Sequence, residues 1–190
     1  FGHSGRKGCG ADPSQGRRAL RPEEGAWEIF GPSPVAWSPH WPVPCEMDRE
    51  AIDRVIAAYG QAAERAARLD LSVIELHGAH GYLLHSFLSP VSNLRQDAYG
   101  GSLANRMRLV LEVTQRVRQA WPAGRVLGIR LNAQDWLPEG LTIEDTIEIA
   151  KAFCANGGDY VSISAGALTS EAKIPAAPGY LVPFASKVRN

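Results

Sequence analysis

The chain has 190 residues, of which 45% are hydrophobic and 21% charged, and its 20 Lys plus Arg balance 20 Asp plus Glu. That length suits one domain with a real core, and the composition is that of an ordinary soluble protein. A formal net charge of zero offers no electrostatic footprint for nucleic acid or an anionic membrane surface.

No apolar run approaches the ~20 residues of a membrane-spanning helix, and the opening FGHSGRKGCG has no apolar region of the secretory kind. Cys9, Cys45 and Cys154 are far apart and lack CxxC spacing, which predicts reduced thiols and a cytoplasmic setting. By elimination, the partner is expected to be a small molecule.

Residues 8–47 carry Trp27, Phe30, Trp37 and Trp41 among Pro32, Pro34, Pro39, Pro42 and Pro44, without sustained periodicity. They read as one long loop whose aromatics pack on something, an ordered cover in a whole protein and poorly ordered here. Asp48 is the expected N-cap of a helix over about 49–69. Its stripe is Ile52, Val55, Ile56, Tyr59, Ala62, Ala63 and Ala66. LSVIEL (71–76) follows as a strand. A second helix is predicted over about 103–120, with Ser102 as its cap and Leu109, Val113 and Val117 on one face. VLGIRL (126–131) is the next strand, a helix from Thr142 to about Asn156 the next element, and YVSISA (160–165) a third strand. A helical pattern then starts in VPFASKVRN.

Strict alternation with apolar strands implies a parallel sheet covered by helices. No strand is followed by GxGxxG, which weakens the dinucleotide-fold option against a (β/α)8 barrel. Polar residues gather where strands end: His77 and His80, then Arg130, Asn132 and Asp135, then Ser164. Barrel enzymes hold their chemistry there.

The densest constellation is HGAHGYLLH, placing His77, His80, Tyr82 and His85 at one strand exit. Two imidazoles three residues apart can converge on one acceptor and stabilise negative charge growing on a carbonyl oxygen. Tyr82 adds a phenol able to donate a proton. The same spacing admits a purely structural pair. A zinc site is also conceivable, but nothing else in the loop completes its ligands. His85 reads as structural, and His3 and His40 have no sequence partner. Arg130 points into the expected barrel mouth, as a fork for carbonyl, phosphate or carboxylate, or as the partner of Glu75 or Asp135. The run from Asn93 to Arg106 reads as architecture, with Asn93, Arg95, Asp97 and Arg106 locking a loop.

HGAHGYLLHSFLSPVSNLRQDAYGGSLANR closely resembles the signature region of the Old Yellow Enzyme family of NAD(P)H:flavin oxidoreductases. GHSGRK (2–7), GIRLNAQDW (128–136) and PGYLVPFASKVR (178–189) are similar to further segments of that family, in the same order. The similarity is nearest its bacterial, YqjM-like subgroup. This resemblance implies an FMN-binding (β/α)8 barrel present in part, from the exit of the third strand to the start of the sixth helix. It also implies an NADPH- or NADH-fed ene-reductase acting on α,β-unsaturated carbonyl compounds. In it His77 and His80 would bind the substrate carbonyl, Tyr82 would protonate the α-carbon, and Arg130 would face the flavin pyrimidine edge. No metal is implied, and the parent enzyme is expected to be a homo-oligomer.

The family's flavin-contacting glutamine before the GRK segment has no counterpart here, nor do the loops that bind the FMN phosphate. Asp70 replaces the usual glycine and Ser72 the usual aspartate. The 190 residues alone are therefore expected not to hold FMN. The competing expectations are a dienoyl-CoA reductase type of flavoenzyme and a non-catalytic fragment.

Overall fold

The computed structural model describes residues 1–11, 18–166 and 168–189. Positions 12–17 of the long loop, Ala167 and Asn190 lie outside the described residues.

Two two-residue strands, β1 (Phe30–Gly31) and β2 (Cys45–Glu46), pair in parallel within the long loop. Helix α1 (Arg49–Arg68) follows, and the Asp48 side chain accepts a 2.7 Å bond from Ala51 N as the predicted cap. Ile52, Tyr59, Ala63 and Ala66 are its buried stripe, while Val55 and Ile56 are half-buried. At its end Asp70 takes a left-handed φ of 56°, a geometry that costs a non-glycine residue about 1 kcal/mol and that Asp tolerates better than most. Strand β3 (Val73–Gly78) comes next. The six-residue helix α2 (Leu83–Leu88) follows it.

The predicted helix over 103–120 is two pieces, α3 (Leu103–Arg106) and α4 (Arg108–Ala120). Ser102 caps α3, and Arg106 ties that turn back to the carbonyls of Leu88 and Gly101. Leu109, Val113 and Val117 are fully buried on α4. Strand β4 (Val126–Asn132), helix α5 (Ile143–Ala155), strand β5 (Tyr160–Ser164) and helix α6 (Val182–Arg189) complete the order. Thr142 and Asp145 form a reciprocal capping box at the start of α5.

β3, β4 and β5 form one parallel sheet in that order, with His77 opposite Arg130, Arg130 opposite Ser162, and Asn132 opposite Ser164. Side chains alternate between faces along a strand. One face presents Ile74, Leu76, Leu127 and Ile129 to the helices, in a single core with Tyr59, Phe87, Val113 and Phe153. The opposite face is polar, carrying Glu75, His77, Arg130, Asn132, Tyr160 and Ser164. Gly128 is bare on that face because the Tyr160 ring crosses it, and a Cβ there would overlap the ring. The Tyr160 hydroxyl donates to Glu75 at 3.1 Å. This parallel α/β arrangement covers part of a barrel, and the three strands do not close on themselves.

The long loop is fastened to this body. Arg6, fully buried, donates to the carbonyls of Val35, Ala36 and Leu168. It thereby joins the loop to the segment that follows β5. Of the loop aromatics, Trp37 is buried against Trp41, Phe30 packs on the core, and Trp27 is exposed. Arg95 donates to the carbonyls of Pro32 and Met47, and Asn93 to those of Phe87 and Tyr99. The Asn93–Arg106 run is thus the hydrogen-bonded architecture that its composition predicts.

Candidate active site

His77 is near the end of β3, on the polar face. The chain then turns through Ala79 and His80, whose φ of 61° is left-handed, and reaches Tyr82 at the entrance to α2. This turn brings the two imidazoles together, with ring centroids 5.0 Å apart and planes at 78°. The Tyr82 ring lies 5.1 Å from His77. The three residues singled out in sequence are therefore one cluster.

The turn is held from several sides. Asn132 Oδ1 accepts the His80 backbone N–H at 3.2 Å, and its Nδ2 donates to the Gly166 carbonyl at 2.9 Å. Lys7 Nζ donates to the His80 carbonyl at 2.8 Å and lies 4.8 Å from the Tyr82 ring centre. The His80 ring rests against Gly166, where a Cβ would overlap it.

Arg130 shares the polar face with His77 one strand away. It forms an ion pair with neither Glu75 nor Asp135, the two acids its sequence position offered. Instead Nη2 donates to Ser164 Oγ at 3.0 Å, and Nε is buried with no hydrogen-bond partner among the described residues. A buried Arg donor without an acceptor is costly unless a ligand supplies one. Ser164 Oγ also lies 2.7 Å from His80 Nε2.

His85 turns away from the pair. Its Nδ1 accepts the Gly81 N–H at 2.8 Å, so Nε2 carries the ring proton, and Nε2 lies 2.8 Å from Asp135 Oδ1 as a close, poorly aligned contact. Asp135 is fully buried and also accepts from Ser89 Oγ at 2.6 Å and Leu141 N at 2.7 Å. Burial alone would raise its carboxyl. The neighbouring His85 and the donated bonds outweigh this and hold it below the ordinary aspartate value. Among the described residues no group of three His, Cys, Asp or Glu is placed to hold a metal ion.

Both site histidines are pushed towards the neutral form. Burial is the main cause for each; His77 also feels Arg130, and His80 feels His77, Arg130, His85 and Lys7. His80 falls to about 4, against ~6.5 for a histidine in an unfolded chain. Between those values the unfolded state binds the extra proton, so stability is full above ~6.5 and declines as pH falls towards 4. His3, also lowered by burial, acts in the same direction. The urea midpoint followed by tryptophan fluorescence is expected to drop from pH 7 to pH 5, and to drop less in His80→Asn. Equal drops in the two proteins would remove His80 from the explanation.

Sequence reasoning missed three groups that shape the site. Lys7 lay in a motif noted only for its resemblance. In sequence Asn132 and Ser164 are only polar residues at strand ends. Alternation along β4 and β5 was the signal available for these two, since it puts both on the face of Arg130.

Several known proteins resemble this chain. The profile of the NADH:flavin oxidoreductase / NADH oxidase family matches residues 17–184. An NADPH dehydrogenase of Geobacillus sp. (strain WCH70) is 43% identical over 172 residues, which are 90% of this chain and 50% of that protein. One from Listeria welshimeri is 40% identical over 175 residues, 92% of this chain and 50% of that protein. Among solved structures, a 2-naphthoyl-CoA reductase in complex with 2-naphthoyl-CoA superposes with a TM-score of 0.83 at 30% identity, covering 100% of this chain and 29% of its own. Morphinone reductase in complex with tetrahydroNAD superposes with a TM-score of 0.65 at 26% identity, covering 72% and 42%.

The parallel α/β frame is thus one that the chain shares with reductases of known structure. The chain belongs to the NADH:flavin oxidoreductase / NADH oxidase family, that of the Old Yellow Enzymes. It spans about half the length of the curated relatives it matches.

Proposed function

We propose that the chain supplies the carbonyl-binding half of an FMN-dependent ene-reductase built on a (β/α)8 barrel, which reduces the C=C bond of α,β-unsaturated carbonyl compounds with NADPH or NADH. The observation that carries this reading is the neutral His77–His80 pair beside Tyr82, on the same sheet end as an Arg130 with an unspent buried donor. That donor set fits FMN. Arg130 would meet the oxygen- and nitrogen-rich edge of the flavin, where a fixed cation favours the reduced, electron-rich ring. When bound, the flavin supplies the hydride that adds to the alkene carbon β to the carbonyl.

The protein's own part is electrostatic and positional. Negative charge grows on the substrate carbonyl oxygen during that addition, so His77 and His80 N–H groups aimed at it stabilise the transition state more than the substrate. Tyr82 Oη would give the α-carbon its proton, with solvent as the alternative donor. Ala79, between the two histidines, is fully buried, and Trp37 packs by Lys7, which bonds the turn.

The test is a visible spectrum of a chain carrying these residues at the full length of its relatives, loaded with FMN and titrated with a phenol. A phenol mimics the oxyanion, and the expected result is a new long-wavelength band as the phenolate meets the flavin. Retained flavin with no response to any phenol would refute the carbonyl-binding reading.

A second reading is favoured by the 0.83 superposition on 2-naphthoyl-CoA reductase: the unsaturated carbonyl would then be a CoA thioester. The same carbonyl chemistry serves both substrates. Turnover of an enoyl- or aryl-CoA with no turnover of simple enones would select it.

A further inference from the structure

The Ser164 hydroxyl touches two functional side chains at once, and proton bookkeeping decides what it does there. Arg130 Nη2 can only donate, so Ser164 Oγ accepts from it across 3.0 Å. The second contact, 2.7 Å to His80 Nε2, then has two arrangements. If Nε2 carried the ring proton, Oγ would accept twice and its own proton would have no acceptor here. Ser164 is 3% exposed, and a buried hydroxyl proton left unpaired costs about 1–3 kcal/mol. If Nε2 is instead the bare nitrogen, Arg130 Nη2 donates to Oγ and Oγ donates to Nε2, so the hydroxyl proton has its acceptor. The chain of two bonds is also cooperative, because the guanidinium polarises the hydroxyl it donates to.

We infer that Ser164 is a positioning residue that fixes His80 as the Nδ1–H tautomer, so that Nδ1–H is the donor offered to the substrate carbonyl. The inference rests on the carbonyl-binding reading for its catalytic meaning, although not for the tautomer itself. The geometry also confines the ring. His80 is fastened at its backbone N–H by Asn132, at its carbonyl by Lys7 and at Nε2 by Ser164, and its face rests on Gly166. With Nε2 engaged, the ring has one remaining nitrogen, and the neutral form favoured by burial leaves the proton there. Arg130 and His80, which would serve flavin and substrate respectively, are linked through a single hydroxyl.

The experiment is a two-bond 15N–1H correlation spectrum of histidine-labelled, FMN-loaded, full-length protein at pH 7, with His80→Asn used to assign the His80 signals. The expected wild-type pattern is the Nδ1–H tautomer. Ser164→Ala is expected to lose that bias and to bind a phenol about tenfold more weakly at unchanged flavin content. Ser164→Thr keeps the hydroxyl, suits a strand and restores both.

A wild-type His80 in the Nε2–H tautomer overturns the inference whatever the variants do. So does a Ser164→Ala protein with the wild-type tautomer, or one with wild-type phenol affinity. A generic packing role would move neither the tautomer nor its rescue by threonine. If His80→Ala bound phenols normally, the carbonyl-binding reading would fall while the spectrum still reported on Ser164, so the two failures are separable.

Discussion

Full-length, FMN-loaded protein with His80 replaced by Ala is expected to reduce an enone about 10²–10³-fold more slowly, the loss typical of one oxyanion donor. Its flavin should remain bound. The effect belongs to kcat more than to KM, because the bond to the carbonyl oxygen strengthens as that oxygen gains charge. Position 80 has a left-handed backbone, so Ala there also costs backbone energy. His80→Asn separates the two effects: Asn favours that geometry and carries an amide donor. It is expected to recover much of the rate. His77→Ala, without the backbone complication, should lose a similar factor. Steady-state kinetics with a simple enone, alongside the flavin absorbance, are the measurement. Normal turnover in both alanine variants would show that the pair does not bind the carbonyl.

Asp135→Ala should be the most destabilising single change around the site, by about 3–5 kcal/mol in urea unfolding. The carboxylate is fully buried, accepts from Ser89 and Leu141, and lies against His85 Nε2. Its removal strands two buried donors, Ser89 Oγ and Leu141 N, and takes away the His85 contact, and each unpaired buried donor carries its own desolvation cost. The damage should also travel. His85 accepts the Gly81 N–H, next to His80, so a loosened His85 loosens the turn that carries His80. Asp135→Asn keeps the shape, and one amide oxygen still accepts, so it should cost clearly less. A variant Asp135→Ala as stable as the parent would mean that the network is not what holds this corner. The carboxyl is held below its ordinary value, so the stability it contributes is present above ~3.9. It is lost only as pH falls further, through the depressed folded value, a window below that of His80.

The elements that sequence made visible are those with one wet side. Helix α1 spans Arg49–Arg68 against a reading of about 49–69, because its buried stripe alternates with charged residues. Helix α2 escaped notice for the opposite reason. All six of its residues are buried, so it has no polar face to create a period, and six residues are too few to betray a helix otherwise. The two-residue strands β1 and β2 were invisible because alternation needs more length to register.

The site divides in a similar way. His77, His80 and Tyr82 lie within six positions of one another, so one motif discloses them. The groups that hold the pair come from elsewhere: the parallel register brings Asn132 and Ser164 together, and Lys7 arrives from the N-terminal turn. Arg130 was given Glu75 and Asp135 as candidate partners, and the structure gives it neither. Glu75 is taken by Tyr160, and Asp135 is turned to the buried network of His85. Composition could not have distinguished these pairings from the one with Ser164.

The evenly balanced charge of the whole chain conceals a local asymmetry. Arg6 is fully buried yet bonded to three neutral carbonyls, Lys7 reaches the His80 carbonyl, and Arg130 bonds Ser164, the residue that His80 also touches. Of the neighbouring acids, Glu75 accepts from Tyr160, and Asp135 accepts from Ser89 and Leu141. A ligand beside the His77–His80 turn that is anionic, or becomes so while reacting, is therefore expected to be favoured over a neutral look-alike of the same shape.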